Sequence, residues 1–353
     1  MNIAVNTRSF SKKNNSGNDI EQILIALAKA NPQHQFVFFI NKELEITKNI
    51  TLISTKASVN VISEKLWHSI QLPALLKKHK ADMVIHINTI NTTSTSIPQL
   101  HFINMQPKGT KRNISETLHQ SKKIITSSQS FKTLLTTQYK IADEKVALVY
   151  ASADSRFSPV DWKEKQSILK KYSAEKEYFL FIEEDQTEEE LVQLLKAFSI
   201  FKKWQKSNLQ MIIAYQKAHL PEPFLKSLKN YKYKDEVLLI NFDEAMLPEI
   251  TKAAYCCIHF NDNSSYLSLL QNLRSGVPVI TTENDLTKEI CGKAALYSPV
   301  GNLNDIAKNM ILIYKDETLR NELIENGTAQ LQLLNTNKPL TTLMLQLEAT
   351  LQA

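Results

Sequence analysis

IITSSQSFKTLLTTQYKIADEKVALVYASADSRFSP, residues 124–159, carries the change of period on which the fold reading turns. Its opening is apolar and β-branched and predicts a strand over 123–126. Residues 130–139 then take up helical spacing, and 146–150 return to a short strand pattern. After Tyr150 the chain turns small and polar as far as Pro159, and this reads as a linker. A strand, a crossing helix and a second strand imply parallel pairing with a right-handed crossover.

The same alternation extends in both directions. Upstream, strands are expected at 3–5, 36–40, 83–87 and 100–103, with helices at 20–30 and 66–78. Downstream of Pro159 the pattern restarts. Strands are expected at 178–182, 210–214, 237–240, 256–260 and 277–281. Helices are expected at 188–204, 266–274, 304–314 and 317–327, with Gly327 placed to end the last one. The sequence therefore predicts an α/β protein of two Rossmann-like, doubly wound parallel-sheet domains facing a cleft. The expected divisions are 1–158, 159–335 and an amphipathic C-terminal helix, 336–353, packing back on either domain. In such domains ligands gather at the carboxyl ends of the strands, where the strand order reverses.

Composition narrows the chemistry. With 353 residues, 43% hydrophobic and 22% charged, the chain can supply two cores. No apolar run reaches the ~18–20 residues of a membrane span, and the N-terminus lacks the pattern of a signal peptide. The three cysteines, Cys256, Cys257 and Cys291, have no metal or redox spacing. A cytoplasmic protein is expected, with no metal and no cofactor. Residues 1–160 carry 20 Lys and Arg against 10 Asp and Glu, while the remainder is net acidic. A basic first half suits peripheral contact with an anionic inner-membrane surface or a phosphate-bearing acceptor. Solvated lysine-rich helix faces are the simpler explanation. No nucleic-acid motif is present. There are only 6 glycines, far below the usual ~7% of residues. Phosphate-cradling loops need glycine for close backbone approach, so an ordinary nucleotide site is disfavoured.

The order of these pieces resembles the family 4 glycosyltransferases of the GT-B fold. Residues 124–159 are similar to the end of that family's first domain. FLFIEEDQTEEELVQLLKAF, residues 179–198, resembles the opening of its donor domain. Residues 237–327 resemble the donor domain's second half, with Gly276, Pro278, Val279 and Ile280 in a Gly-x-Pro-Val-Ile strand, Glu289 and Gly292 in a Glu-x-x-Gly step, and a closing D…LR…L…G. The resemblance implies transfer of a sugar from a nucleotide-sugar donor to a glycan or lipid-linked acceptor, usually with retention. It also implies a Glu-x7-Glu motif for the donor, and an Arg and a Lys that neutralise the leaving diphosphate.

At those positions this chain departs from the family. The two motif glutamates fall on Asn263 and Gln271, and the intervening Gly-Phe-Gly becomes Ser264, Ser265 and Tyr266. Glu188 and Glu189 stand at the basic positions, and Glu183 replaces the preceding glycine. The first domain's His-Asp pair falls near Asn104 and Met105, and the linker glycine is Ser152. In the N-terminal glycine-rich loop only Gly17 remains, with Arg8 after the first strand. Neutral amides still hydrogen-bond hydroxyls. The charge-assisted contact, about twice as strong, is lost. Lys217 and Lys288 are the substitute cations. The candidate ligand contacts are Arg8, Gly17, His86, Asn104, Asn261, Asn263, Ser264, Ser265, Tyr266 and Gln271. His86 is equally a satisfied strand histidine, and His101 and His259 read as core. Two functions follow: a transferase with a divergent donor site, or a non-catalytic relative that binds a glycan or partners an active transferase.

Overall fold

The computed structural model describes residues 1–7, 15–40, 48–55, 61–89, 91–103, 111–151, 153–183, 187–216, 220–243, 245–260, 266–334 and 339–352. The chain divides into two compact units, Met1–Ser152 with Lys338–Ala353, and Ala153–Asn337.

The first unit is built on a seven-stranded sheet: β1 (Asn2–Asn6), β2 (Gln35–Ile40), β3 (Ile50–Ser54), β4 (Met83–Ile87), β5 (Gln99–Phe102), β6 (Lys123–Thr126) and β7 (Val146–Leu148). All neighbours are parallel, in the order β3-β2-β1-β4-β5-β6-β7. The order reverses between β1 and β4. Strands buried on both faces read as continuous apolar runs, as Phe36–Ile40 does here. One face holds Ala4, Val37 and Val84 against Trp67, Leu72 and Leu76 of the helical segment that precedes β4. The C-terminal helix, Pro339–Gln352, belongs to this unit. It buries Leu343, Met344 and Leu347, and its Glu348 approaches His34 at 3.9 Å.

The second unit holds β8 (Tyr178–Ile182), β9 (Gln210–Tyr215), β10 (Val237–Asn241), β11 (Cys256–His259), β12 (Val279–Thr282) and β13 (Ala295–Ser298). They form a parallel sheet in the order β10-β9-β8-β11-β12-β13, with the reversal between β8 and β11. Helices Glu188–Gln205 and Leu303–Lys315 cover one face. Trp162–Ser173 and Met246–Lys252 cover the other. Phe179 meets Phe201 edge-to-face at 5.0 Å, a geometry in which the positive edge of one ring faces the π cloud of the other. Each fully buried side chain of this size contributes roughly 1.5–3 kcal/mol.

Three expectations need correction. Gly327 does not end a helix; the helix runs from Glu317 to Leu333 straight through it. A Cβ there would lie 3.3 Å from Leu273 Cδ2, so the glycine serves close packing instead. The helix expected at 66–78 begins at Val61 and contains a π turn, Trp67–Gln71, before continuing as Leu72–Lys78. Strands β3 and β13 are additional to those expected; each lies at a sheet edge, where burial is incomplete and the apolar pattern weak.

Candidate functional site

In the second unit the chemistry-bearing residues collect where β8, β11 and β12 end. Leaving β8, the chain buries Glu183, whose amide continues the ladder to Ala214 O at 2.8 Å. The helix Glu188–Gln205 then opens with a capping box. Thr187 Oγ1 accepts from the Glu190 amide at 3.3 Å, and Glu190 Oε2 accepts from the Thr187 amide at 2.8 Å. Glu188, Glu189 and Glu190 all lie in the first turn, where the helix dipole favours acids. An anion arriving here meets three carboxylates, and the Glu190 amide is already taken by Thr187.

At the end of β11, His259 Nε2 is 2.6 Å from Ser268 Oγ, both groups buried. His259 stands in register with Thr281 of β12. Residues 261–265 lie outside the described residues, and with them Asn261, Asn263, Ser264 and Ser265. Tyr266 is buried and leads into helix Leu267–Arg274, which has no side-chain cap. Gln271 is half-buried on that helix. After β12, Asn284 and Thr287 form a second capping box. Here Lys288 is bound at 2.7 Å by Glu283. That hydrogen bond holds the ammonium above its ordinary pKa, so its charge is already matched within the chain. Lys217 lies outside the described residues. Gly276, after the same helix, adopts φ +68° and packs its α-carbon side against Pro159, which ends the linker stretch.

In the first unit, His86 is fully buried and both its ring nitrogens are engaged. Asn6 Nδ2 donates to Nδ1 at 3.2 Å, and Nε2 donates to Gln99 Oε1 at 3.1 Å. Gln99 is itself fixed, since its Oε1 accepts from the Thr93 amide and its Nε2 donates to Thr93 O. This sequence of donors assigns the proton of His86 to Nε2. Asn6, His86 and His101 are register partners on β1, β4 and β5, so they form one polar row across a sheet face. His86 therefore offers no nitrogen to a ligand. Gly17 is the third residue of helix Asn15–Ala30. Arg8, Asn104 and Ser152 lie outside the described residues.

The sequence reading missed Thr187 and Asn284 as caps and Asn6, Gln99 and Ser121 as partners of histidines. The Thr-x-x-Glu spacing of Thr187 and Glu190 was a legible capping signal. The register that brings Asn6 to His86 has no local signal. Among the described residues no group of three His, Cys, Asp or Glu is arranged to hold a metal, and no helix is long and apolar enough to cross a membrane.

Residues 163–330 match the family model described as glycosyl transferases group 1. No curated protein matches the chain by sequence. Solved structures match its fold over nearly its whole length. A glycosyltransferase from Rickettsia africae ESF-5 is 14% identical with a TM-score of 0.79, over 99% of this chain and 98% of that one. WaaG, a glycosyltransferase involved in lipopolysaccharide biosynthesis, is 14% identical with a TM-score of 0.74, over 96% and 97%. HepE from Anabaena, in complex with UDP and glucose, is 12% identical with a TM-score of 0.73, over 99% and 100%. Identities this low establish the fold and nothing finer. The chain thus has the two-unit GT-B fold, and residues 163–330 of its second unit are similar to the glycosyl transferases group 1 family.

Proposed function

We propose that this protein is a glycosyltransferase relative that recognises a sugar-bearing ligand without the usual charge-matched hold on a nucleotide diphosphate. The observation that carries this reading is the acidic opening of helix Glu188–Gln205, where the Thr187–Glu190 capping box and two further glutamates stand at the anion-favouring end. The Glu283–Lys288 pair adds to it by occupying the substitute cation. Diphosphate departure needs positive charge that grows in importance toward the transition state. Without it the ligand is bound and not turned over, and the protein serves glycan assembly as a binding partner of an active transferase. The basic first 160 residues support contact with a phosphate-bearing acceptor or an anionic surface on the same grounds.

A second reading, a working transferase with a neutral donor site, is favoured by one observation. HepE, whose fold this chain shares over its whole length, is a complex with UDP and glucose. Incubation with a panel of UDP-, GDP- and dTDP-sugars, followed by measurement of released nucleotide diphosphate, separates the two. The binding-protein reading expects no release above background with any glycan acceptor. Release that disappears in a Gln271→Ala variant establishes the transferase.

A further inference from the structure

The outward face of helix Glu188–Gln205 carries apolar groups that the second unit does not cover. Glu188, Val192, Lys196, Ile200 and Trp204 follow one another at i, i+4 spacing and form a single ridge. Val192 and Ile200 are partly buried at the edge of the core. Trp204 is 69% exposed, and Leu312 of the neighbouring helix Leu303–Lys315 is exposed as well. A tryptophan in water forgoes one of the largest burial gains open to a side chain, and tryptophans in apolar company are frequent anchors of protein contacts. Trp162, also exposed, has no such company, since Gln166 and Lys170 follow it at the same spacing.

Charge on this helix is sorted by end. Glu188 and Glu189 stand at its start, and Lys203 and Lys206 at its close. None of these four is ion-paired among the described residues, unlike Lys202, which is buried and paired with Glu236. The sorting makes the face complementary to itself. Glu189 and Lys203 lie equally far from Lys196, about 10 Å to either side along the axis. Turning the helix end for end about Lys196 therefore sets Glu189 opposite Lys203 of a second copy. The same turn sets Val192 opposite Ile200, and Glu188 opposite the indole N–H of Trp204, a donor. A closed two-fold contact requires such self-complementarity. Parallel pairing would instead set like charges together.

We propose that two copies of this chain pair through this face, with their Glu188–Gln205 helices antiparallel about a two-fold axis at Lys196. At the axis the two Lys196 stems lie along the apolar ridge and turn their ammonium groups to water. That like-charged pair and the limited area of a helix-on-helix contact make the dimer reversible. The pairing depends on no ligand of the strand-end site.

Sedimentation velocity of the full chain, from low to high micromolar concentration, tests it. Wild type is expected to show a reversible monomer–dimer equilibrium. Trp204→Ala is expected to weaken it at least about tenfold. Glu189→Lys and Lys203→Glu are each expected to weaken it at least about fivefold, and the double variant to return to within about twofold of wild type. Trp204, Glu189 and Lys203 are exposed, so the variants are expected to keep the wild-type melting curve; Trp204→Ala carries the test where a charge reversal loosens the helix ends. A wild-type chain that stays monomeric throughout overturns the pairing and leaves the face to a different protein. A dimer untouched by Trp204→Ala overturns it as well. A dimer indifferent to both charge reversals, or not restored by combining them, overturns the antiparallel arrangement.

Discussion

The imidazoles of His86 and His101 stack at 4.9 Å between centroids, 29° from parallel, with both side chains wholly buried in the first unit. Neighbouring strands place them in register, side by side on one face of the sheet. Burial disfavours the charged form of each, and each charge would repel the other. His86 is held well below its ordinary pKa by burial first and then by His101 and His68. His101 is lowered to about 4, chiefly by burial.

These shifts make the first unit acid-sensitive. The unfolded histidines take up protons near pH 6.5, whereas the folded ones resist until much lower pH. The stabilising contribution is complete above about pH 6.5 and is lost as pH falls toward 4. At pH 5 the His101 shift alone corresponds to a loss of about 2 kcal/mol. Urea unfolding between pH 7.5 and 5 is expected to show this decline, with a shallower slope in His101→Asn. A stability profile flat across that range contradicts the neutral, buried pair. The other charged groups near the rings are Glu64, 3.8 Å from His68, and Lys145, whose charge acts against protonation of His101.

Thr187→Ala removes one half of the capping box that opens helix Glu188–Gln205. The Glu190 amide loses its acceptor, and the loss of stability is expected to be about 1 kcal/mol. Thr187→Ser is expected to retain most of the wild-type value. Equal melting temperatures for Thr187→Ala and wild type are the adverse result.

Gly276→Ala tests the turn after helix Leu267–Arg274. Its φ of +68° places a side chain in the left-handed region, and the new Cβ would meet Pro159 Cγ at 3.3 Å. A cost of roughly 1–2 kcal/mol is expected from the backbone alone. Equilibrium unfolding of the variant measures it, and an unchanged midpoint would show that the turn relaxes freely.

Glu283→Ala frees Lys288 without removing it. The two are paired at 2.7 Å and both are substantially exposed, and exposed pairs contribute little to stability. The melting temperature is therefore expected to stay at the wild-type value. Affinity for inorganic pyrophosphate is expected to rise severalfold, because one cation beside the β12 end is released from its partner. Unchanged pyrophosphate affinity would mean that Lys288 does not face the strand-end site.

Much of the fold was legible because parallel strands buried on both faces leave unbroken apolar runs, as Phe36–Ile40 and Tyr178–Ile182 do. The edge strands β3 and β13 were not, because half-buried residues such as Leu52 and Tyr297 blur the pattern. Gly327 shows the limit of reading glycine as punctuation. Its role comes from Leu273, more than fifty residues away in sequence, so no local spacing reveals it. The candidate site was legible chiefly as replacement of charge, at Glu188, Glu189 and Gln271. The capping role of Glu190 was written in its spacing from Thr187. The row of Asn6, His86 and His101 depends on strand register, and register is a property of the folded sheet.

On the proposed reading, the described residues of the second unit offer no charge-matched hold on a diphosphate. Thermal unfolding of the full chain with increasing UDP-glucose tests it most directly, because a ligand that binds only the folded state must raise the melting temperature. The account predicts an unchanged unfolding curve up to several millimolar. A saturable rise in melting temperature, equivalent to about 2.7 kcal/mol at a hundredfold excess over Kd, would contradict it.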